Sequence, residues 1–402
     1  MAELMDKMET MGVLVKPEDA GVVPTFVVPS LLIPKADKEW RLVSDFTPLN
    51  IHIRKFETVS PGIEEAKRTL AKFKYNIEMD LSNYFWQGGM RKEDIQYLGT
   101  PHPFKGLRVY TVEPQGLRNA SEHSYEKLTR IYGDLRQADR MTCMADGLYA
   151  VGDTLEELME NFVEILERAR KSGLTFKPKK IVITPKDTVL FGWRKIDDGW
   201  KPIDHTVSPL TRAEEPNTVK QLRSFIGSYK QLSECIEGYA VILGPLERAV
   251  AGKESAERLQ WTPELSEHFN VAKKALTKVD TIFVPKPTDK LDVYTDYSED
   301  KKAIGGKLVI NRKEKDGSVR KLLGGHFSCK LSVHQKNWLP CEGEALGVKL
   351  ISKHFSPVIR ESRNISTIHT DNLPTVHAWK RMKLELSPLQ PELHLFSLVS
   401  VF

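Results

Sequence analysis

The chain has 402 residues, of which 40% are hydrophobic and 28% charged, a composition typical of soluble globular proteins with two to four domains. Lysine and arginine number 59 against 54 acidic residues, and the formal charge of +5 is compatible with a nucleic-acid partner without requiring one. The four cysteines form no CxxC pair, and no apolar run reaches the roughly 20 residues of a membrane span, which excludes a disulfide framework, a zinc knuckle and a membrane protein.

The first 135 residues alternate helical and extended patterns. Apolar spacing predicts helices, whereas β-branched residues broken by prolines predict edge strands and turns. The expected elements are a helix over residues 1–11, edge strands and turns over 22–34, a strand over 39–45, a helix over 63–73, a buried strand over 75–80 and a helix over 119–135.

Residues 141–152 (MTCMADGLYAVG) have two apolar arms around Asp146-Gly147, a dipeptide that favours a two-residue hairpin turn. Thr154 then predicts a helix start, with Glu157 completing a capping box. The order of elements predicts a split α+β sheet with helices on one face. The apolar stripe of the last helix is expected at Leu155, Leu158, Phe162, Leu166 and Ala169.

The second half of the chain begins with a loop-like pattern and ends with a mixed sheet. Gly238 and Pro245 are expected to interrupt a long helical stretch. The expected order is a loop over 207–216, helices over 218–251, a helix over 261–278, a linker at 285–287, strands over 291–294, 303–312 and 321–328, and then helix, strand and helix.

Two acids from distant segments suggest a metal site. Asp80 ends a predicted strand and Asp146 stands at the tip of the hairpin, so a sheet can make them neighbours. Magnesium prefers carboxylate ligands, and nucleotidyl transfer uses two such ions about 4 Å apart. Either acid alone also fits an ordinary solvated turn residue.

Six collinear segments resemble the motifs of gypsy-like and retroviral reverse transcriptases. Residues 27–50 are similar to the fingers, and residues 77–87 (IEMDLSNYFWQ) to the first metal-binding palm motif. The other four are 113–128 (EPQGLRNASEHSYEKL, template and nucleotide contacts), 143–153 (CMADGLYAVGD, the aspartate hairpin), 174–183 (LTFKPKKIVI, the lysine motif) and 190–193 (LFGW, the primer grip).

The resemblance implies a role for each matching residue. Asp80 and Asp146 would be catalytic metal ligands, and Lys180 the general acid that protonates pyrophosphate. Surface charge, core packing and loop turns are the structural alternatives for these positions. The implied nucleotide-binding residues are Lys35, Arg41, Phe85 (the steric gate), Gln115 and Gly116, and the implied primer-grip residues are Phe191, Gly192 and Trp193.

The hairpin departs from the family at Gly147, where a second aspartate usually follows the first. Two hypotheses follow: a weakened but active polymerase, or a catalytically dead relic that still binds nucleic acid. The retained Asp80, Lys35, Arg41 and Gln115 favour the first. An unrelated metabolic enzyme is disfavoured, because the collinear motifs are present and a glycine-rich phosphate loop is not.

The remaining segments resemble a thumb, a connection and a ribonuclease H domain. Residues 216–250 resemble the thumb and connection, with Lys220, Arg223 and Lys230 as candidate phosphate contacts or simply solvated charges. Residues 292–298, 341–350 and 368–372 resemble the ribonuclease H strands and helix that carry its metal ligands. These ligands would be Asp296, Glu344 and Asp371, with Glu342 as the runner-up, about 200° away from Glu344 on a helix.

After Lys380 the sequence no longer resembles the family, and the last ribonuclease H acid is not visible. A frameshift or a truncated reading frame is the hypothesis, because the apolar tail over residues 393–402 would be exposed. Ribonuclease H activity is therefore doubtful. Protease and integrase signatures are absent, which suggests a fragment of a polyprotein.

Together these features predict an α+β right-hand polymerase of fingers, palm and thumb, a helical connection and an RNase H-like α/β domain. The expected boundaries are 1–203, 204–285 and 286–402. The resemblance implies two Mg²⁺ or Mn²⁺ ions per active site. The implied partners are an RNA/DNA primer-template, dNTPs and other Pol products such as protease and integrase, with no membrane, in a cytoplasmic retrotransposon particle or the nucleus.

Overall fold

A computed structural model describes residues 1–34, 40–58, 62–385 and 396–400, and they belong to two units, Met1–Lys186 and Asp187–Phe402. Both units mix helices with sheets, as the predicted α+β class requires. In the described parts of the chain, no helix combines the length and apolarity needed to cross a membrane.

The first unit contains nine described strands and seven described α-helices. The strands are β1 (Leu14–Val15), β2 (Ser30–Pro34), β3 (Trp40–Ser44), β4 (Tyr75–Asp80), β5 (Gly99–His102), β6 (Gly106–Tyr110), β7 (Met141–Met144), β8 (Gly147–Gly152) and β9 (Val182–Ile183). The helices are α1 (Ala2–Thr10), α2 (Pro17–Ala20), α3 (Thr47–Asn50), α4 (Ile63–Lys72), α5 (Lys92–Ile95), α6 (Ala120–Gln137) and α7 (Leu155–Ser172).

The central sheet of this unit is antiparallel in the order β7-β8-β4-β9. Side chains on a strand alternate between faces, so Ile77 and Met79 enter the core beneath α6 and α7. Glu78 and Asp80 therefore point to the opposite face. A second core joins α1 to the sheet β1-β6-β5 and the hairpin β2-β3.

The hairpin turn differs from the prediction by one residue. Met144 pairs with Gly147, so the two turn residues are Ala145 and Asp146, and Gly147 is the first residue of β8. Ala145, the first turn residue, adopts the left-handed conformation with φ +53°. The turn leaves Asp146 at the tip, and Leu81 N donates to the Asp146 carbonyl over 2.9 Å.

The expected stripe of α7 is wrong at its first position. Thr154 caps the helix as expected and accepts a hydrogen bond from Glu157 N. Leu155, however, is 51% exposed, whereas Asn161 and Ile165 are buried together with Leu158 and Ala169. Asn161 is tolerated inside because its amide donates to Val151 O and its carbonyl oxygen accepts from Arg140.

The second unit contains nine described strands and six described α-helices. The strands are β10 (Val189–Leu190), β11 (Trp193–Ile196), β12 (Gly199–Pro202), β13 (Ile282–Phe283), β14 (Lys290–Ser298), β15 (Ala303–Lys313), β16 (Val319–Lys330), β17 (Ser366–Thr370) and β18 (Phe396–Ser400). The helices are α8 (Asp204–Thr211), α9 (Val219–Lys230), α10 (Tyr239–Val250), α11 (Pro263–Ala275), α12 (Pro340–Glu361) and α13 (Leu373–Glu385).

The predicted secondary structure of this unit is wrong around two prolines. The expected loop over 207–216 is in part the helix α8, which contains Pro209, and Pro245 lies inside α10 without ending it. Proline removes one helical hydrogen bond, which packing of the helix against its neighbours can offset. Gly238 does separate α9 from α10, because it takes the left-handed conformation with φ +65° at the start of α10.

The larger sheet of the second unit has the order β16-β15-β14-β17-β18, with β17 parallel to both of its neighbours. Helix α12 packs on this sheet through Val348, Ile351 and Phe355. The backbone of Phe396–Ser400, part of the expected unpaired tail, forms the edge strand beside β17. Residues 386–395 and 401–402 lie outside the described residues.

Ile165→Ala should lower the free energy of unfolding of the first unit by about 2–5 kcal/mol, because it leaves a cavity beneath the central sheet. Leu155 belongs to the expected stripe but is exposed, so Leu155→Ala should change the free energy of unfolding by less than about 0.5 kcal/mol. Urea unfolding of the full chain measures both. Equal losses from the two variants would contradict the observed orientation of α7.

Candidate active sites

The pairing of β4 with β8 creates the first acid pair. Asp80 at the end of β4 lies opposite Gly147 in the register, directly beside the turn that carries Asp146. Both acids therefore stand at the same end of the paired strands, although 66 residues separate them in the chain. The expected neighbourhood of the two acids is present.

Two lysines approach this pair. Lys180 Nζ donates to Asp80 Oδ2 over 2.8 Å, and Lys177 Nζ lies 3.9 Å from the same oxygen. The hydrogen bond and the charge of Asp80 raise the pKa of Lys180, so its ammonium keeps its proton at neutral pH. In this structure Lys180 partly neutralises Asp80.

Tyr149 and Glu78, which the sequence analysis did not single out, face the same side of the sheet as Asp80. Glu78 pairs with Tyr149 across β4 and β8. Burial and the charge of Asp80 raise the pKa of Glu78. Burial and the charges of Glu78, Asp80 and Asp146 also raise the pKa of Tyr149. Period-two alternation from Asp80 and Gly147 is the sequence signal that points to both residues.

A cleft of about 720 Å³ opens beside Asp146. Arg41, Phe85 and Gln115 line it, as expected for nucleotide-binding residues, whereas the expected Lys35 lies outside the described residues. Helix α1 also lines the cleft, although no sequence pattern in that helix indicated it. The lining residues that the sequence analysis missed are Leu4, Lys7, Met8, Met11, Trp40, Leu42, Asn83, Tyr84, Trp86, Ser121, Tyr125, Met144, Ala145 and Lys177.

The loop that carries Gln115 and Gly116 is held from two sides. Gly116 has φ +90°, a conformation that favours glycine. Asn50 donates to Gly116 O over 2.9 Å and accepts from Arg118 N over 2.8 Å. These bonds fix the position of Gln115 at the cleft.

The Phe191–Gly192–Trp193 segment divides into exposed and buried parts. Phe191 is 61% exposed in a left-handed conformation with φ +46°, and Gly192 has φ +83°. Trp193 is buried, so its side chain faces the interior of the unit and is not available to a nucleic-acid strand. The exposed Phe191 ring is the part of the segment that can contact nucleic acid.

The three candidate phosphate contacts differ in their surroundings. Lys220 is exposed on α9. Arg223 instead donates to Val250 O over 2.9 Å and to Lys253 O over 2.6 Å, which caps the end of α10. Lys230 lies 2.6 Å from Glu247 in an ion pair. Lys220 is therefore the one of the three best placed for a phosphate.

The second acid cluster lies on the larger sheet of the second unit. Asp296 on β14, Glu344 on α12 and Asp371 after β17 offer carboxyl oxygens that all lie within 4.8 Å of one another. Glu344 is 5% exposed, and it accepts from Tyr297 N over 3.0 Å and from Thr370 Oγ1 over 3.1 Å. Burial, with a further contribution from Asp371, raises the pKa of Glu344 to about 7.

Two glycines bring α12 close enough for this cluster. A Cβ at Gly343 would lie 2.7 Å from the Tyr297 ring, and one at Gly347 would lie 2.9 Å from Thr295 Oγ1. Only a helix without side chains at these positions can lie so near β14. Glu342, the runner-up, is exposed and accepts from Leu339 N over 2.8 Å, so it caps the helix instead of joining the cluster.

A third acid-rich group, Asp6, Glu9 and His102, is not suited to a metal. His102 Nδ1 accepts from Phe104 N and Lys105 N, so Nε2 carries the proton. That protonated nitrogen faces Asp6 at 3.2 Å. The group therefore ties α1 to the β5-β6 hairpin.

The donor sets of the other two sites do fit divalent metal ions. Asp296, Glu344 and Asp371 form a compact set of hard oxygen ligands from three elements, as a magnesium or manganese site requires. Asp80 and Asp146 supply two such ligands at the edge of the first unit's sheet. The chain thus pairs a polymerase-type palm with an RNase H-like sheet.

Comparison with known proteins gives the same two domains. Residues 33–194 match the family of reverse transcriptases (RNA-dependent DNA polymerases), and residues 261–367 match the RNase H-like domain found in reverse transcriptase. The chain is 22% identical over 344 residues to the Transposon Tf2-3 and Tf2-4 polyproteins of Schizosaccharomyces pombe (strain 972 / ATCC 24843). This match covers 86% of the chain but 25% of each polyprotein.

Solved structures confirm the fold. A foamy viral protease-reverse transcriptase in complex with dsDNA has a TM-score of 0.80, with 17% identity, and the match covers 99% of this chain and 81% of that one. The same type of protein with an RNA/DNA hybrid has a TM-score of 0.74, 17% identity and coverages of 99% and 52%. The chain therefore carries a reverse transcriptase domain followed by an RNase H-like domain, and it is similar to part of transposon polyproteins.

Gly147→Asp should destabilise the first unit by about 1–3 kcal/mol, because a Cβ there would lie 3.1 Å from Tyr149 Oη and 3.3 Å from Met144 O. Adding Tyr149→Leu should recover most of this loss by freeing the space. Urea denaturation of the single and double variants measures the effect. A single variant as stable as the parent chain would show that Tyr149 does not restrict position 147.

Proposed function

We propose that this chain is the polymerase and ribonuclease H part of a gypsy-like retrotransposon polyprotein, and that it synthesises DNA on RNA and DNA templates. One observation carries the proposal: Asp80 and Asp146 meet beside a cleft lined by Arg41, Phe85 and Gln115. A cation, an aromatic ring and paired carboxylates in that arrangement suit a nucleoside triphosphate.

Each residue of the cleft has a proposed part in nucleotidyl transfer. The Arg41 guanidinium binds the triphosphate, and the Phe85 ring closes the space where a ribose 2′-hydroxyl would lie. Gln115 and Gly116 support the nucleotide and the template. Lys180, which keeps its proton beside Asp80, moves to the leaving pyrophosphate and protonates it.

Asp80 and Asp146 would hold two Mg²⁺ or Mn²⁺ ions. When bound, such ions lower the pKa of the attacking 3′-hydroxyl and stabilise charge on the leaving oxygen. The chain's own contribution is to fix both carboxyls on adjacent strands and to keep Lys180 within reach of them.

The second site is proposed to cut the RNA strand of an RNA/DNA hybrid. Asp296, Glu344 and Asp371 would hold two divalent ions that activate water. Tyr297 N and Thr370 Oγ1 orient the Glu344 carboxyl toward the other two acids. The foamy viral proteins of similar fold have been solved with dsDNA and with an RNA/DNA hybrid, which supports nucleic-acid duplexes as partners of this chain.

The relatives also support a wider setting. They are transposon polyproteins, and the chain spans about a quarter of their length. We therefore propose dNTPs, a primer-template and other Pol products as partners, in a cytoplasmic particle or the nucleus. The proposed functional boundaries are 1–203 for fingers and palm, 204–285 for thumb and connection and 286–402 for ribonuclease H.

A non-catalytic nucleic-acid-binding relic is the second candidate. Two features favour it: Gly147 places no carboxyl opposite Asp80, and the Lys180 ammonium partly neutralises Asp80. Such a protein would bind duplexes through exposed cations such as Lys220 without metal-dependent chemistry.

Asp80→Asn should abolish primer extension on poly-rA/oligo-dT with dTTP and Mg²⁺ or Mn²⁺, because it removes a metal ligand while preserving shape. Binding of the same hybrid, measured by fluorescence anisotropy, should change little. Asp153→Asn, an exposed acid after β8, serves as the control and should keep the parent activity. Identical background incorporation by parent and Asp80→Asn, with hybrid binding retained, would establish the relic instead.

Glu344→Gln should eliminate metal-dependent cleavage of a labelled RNA/DNA hybrid, whereas Glu342→Gln should retain it. The first residue belongs to the acid cluster and the second caps α12. Because both substitutions replace glutamate by glutamine two residues apart on α12, a common effect on folding is controlled. Cleavage that survives Glu344→Gln and is lost in Glu342→Gln would reverse the assignment.

A further inference from the structure

Glu78 is a third carboxyl on the active face of the palm sheet. It precedes Asp80 by two residues on β4, so both side chains point to the same face. Its Oε1 atom is enclosed by protein, and no described residue donates a hydrogen bond to it. Buried acceptors are almost always satisfied, so an unsatisfied carboxyl oxygen beside a metal site indicates a ligand that binds there.

Position 147 supplies no carboxyl to this site. Gly147 has no side chain opposite Asp80, and the Tyr149 hydroxyl lies 3.1 Å from where its Cβ would be. A carboxyl from position 147 is thus both absent and obstructed. Glu78 is the diagonal neighbour of Gly147 across the strand pair, within the reach of a long side chain.

We propose that Glu78 is a third carboxylate ligand for divalent metal at the Asp80–Asp146 site, supplying from β4 the charge that Gly147 does not supply from β8. This inference rests on the proposed polymerase function. Glutamate is a suitable ligand because hard cations accept carboxylates from either acidic residue. Its longer side chain is needed to cover the diagonal distance.

These acids would have to rearrange to hold a metal ion together. Among the described residues, the palm acids do not form a cluster as tight as that of Asp296, Glu344 and Asp371, whose oxygens lie within 4.8 Å. Lys180 holds Asp80 in this structure. To hold an ion, Asp80 would release the Lys180 ammonium and the Glu78 side chain would rotate toward Asp80.

Binding of Mn²⁺ alone, followed by the electron paramagnetic resonance signal of the free ion, tests the proposal without relying on activity. Every variant is made in the full chain with Asp296→Asn and Asp371→Asn, so that the ribonuclease H site does not contribute. The test variants are Glu78→Gln, Glu78→Asp and Asp80→Asn. Glu160→Gln, an exposed acid on α7, is the matched charge control.

Glu78→Gln is expected to weaken Mn²⁺ binding about tenfold or more, and Glu160→Gln to leave it unchanged. Glu78→Asp should also weaken it, because the shorter side chain keeps the charge but loses the reach. Adding Gly147→Asp and Tyr149→Leu to Glu78→Gln should restore binding by returning a carboxylate from β8.

Glu78→Gln or Glu78→Asp with the parent affinity, while Asp80→Asn loses Mn²⁺, would overturn the role of Glu78 and leave the proposed function intact. Equal Mn²⁺ binding by the parent and Asp80→Asn would instead contradict the palm metal site itself. Far-ultraviolet circular dichroism of each variant confirms that the comparison is made between folded chains.

Discussion

The antiparallel pairing of β4 with β8 is the constraint on which the palm site depends. Its register sets Asp80 opposite Gly147 and Glu78 opposite Tyr149. It also places the turn that carries Asp146 beside the end of β4. Because side-chain direction alternates along a strand, a shift of one residue would turn all these groups into the core. The burial of Ile77 and Met79 beneath α6 and α7 opposes such a shift.

The second site follows from a different constraint, the close approach of a helix to a strand. Gly343 and Gly347 are four residues apart on α12 and face Tyr297 and Thr295 on β14. Larger residues there would push the helix away from the sheet. The glycines therefore explain why Glu344, between them, can meet Asp296 while being almost fully buried.

The sequence predicted the class of fold and singled out acids that the structure brings together, because collinear motifs and strand periodicity are local signals. The strand Tyr75–Asp80 was predicted to the residue. It could not predict that Ala145 would adopt the left-handed conformation, since the choice between neighbouring turns depends on the β4-β8 register. The orientation of α7 and the helices around Pro209 and Pro245 were missed because tertiary packing decides them.

Side-chain environments that depend on distant parts of the chain could not be predicted from the sequence alone. The burial of Trp193 and the capping role of Arg223 depend on neighbours distant in the chain. The α1 residues of the cleft match no motif. Tyr149 lies within the hairpin segment 143–153, and alternation along β8 places it on the same face as Gly147, but its position opposite Glu78 depends on the β4-β8 register. The tail strand Phe396–Ser400 pairs through its backbone, which no side-chain pattern specifies.

The proposed polymerase function depends on the binding of divalent metal by the palm acids despite Gly147. The most direct measurement is anomalous diffraction from a crystal of the chain with primer-template, a non-hydrolysable dNTP analogue and Mn²⁺. We expect manganese peaks held by Asp80 and Asp146, with the Lys180 ammonium released from Asp80. A filled nucleotide cleft with Lys180 still bound to Asp80 and no manganese at the palm would contradict it.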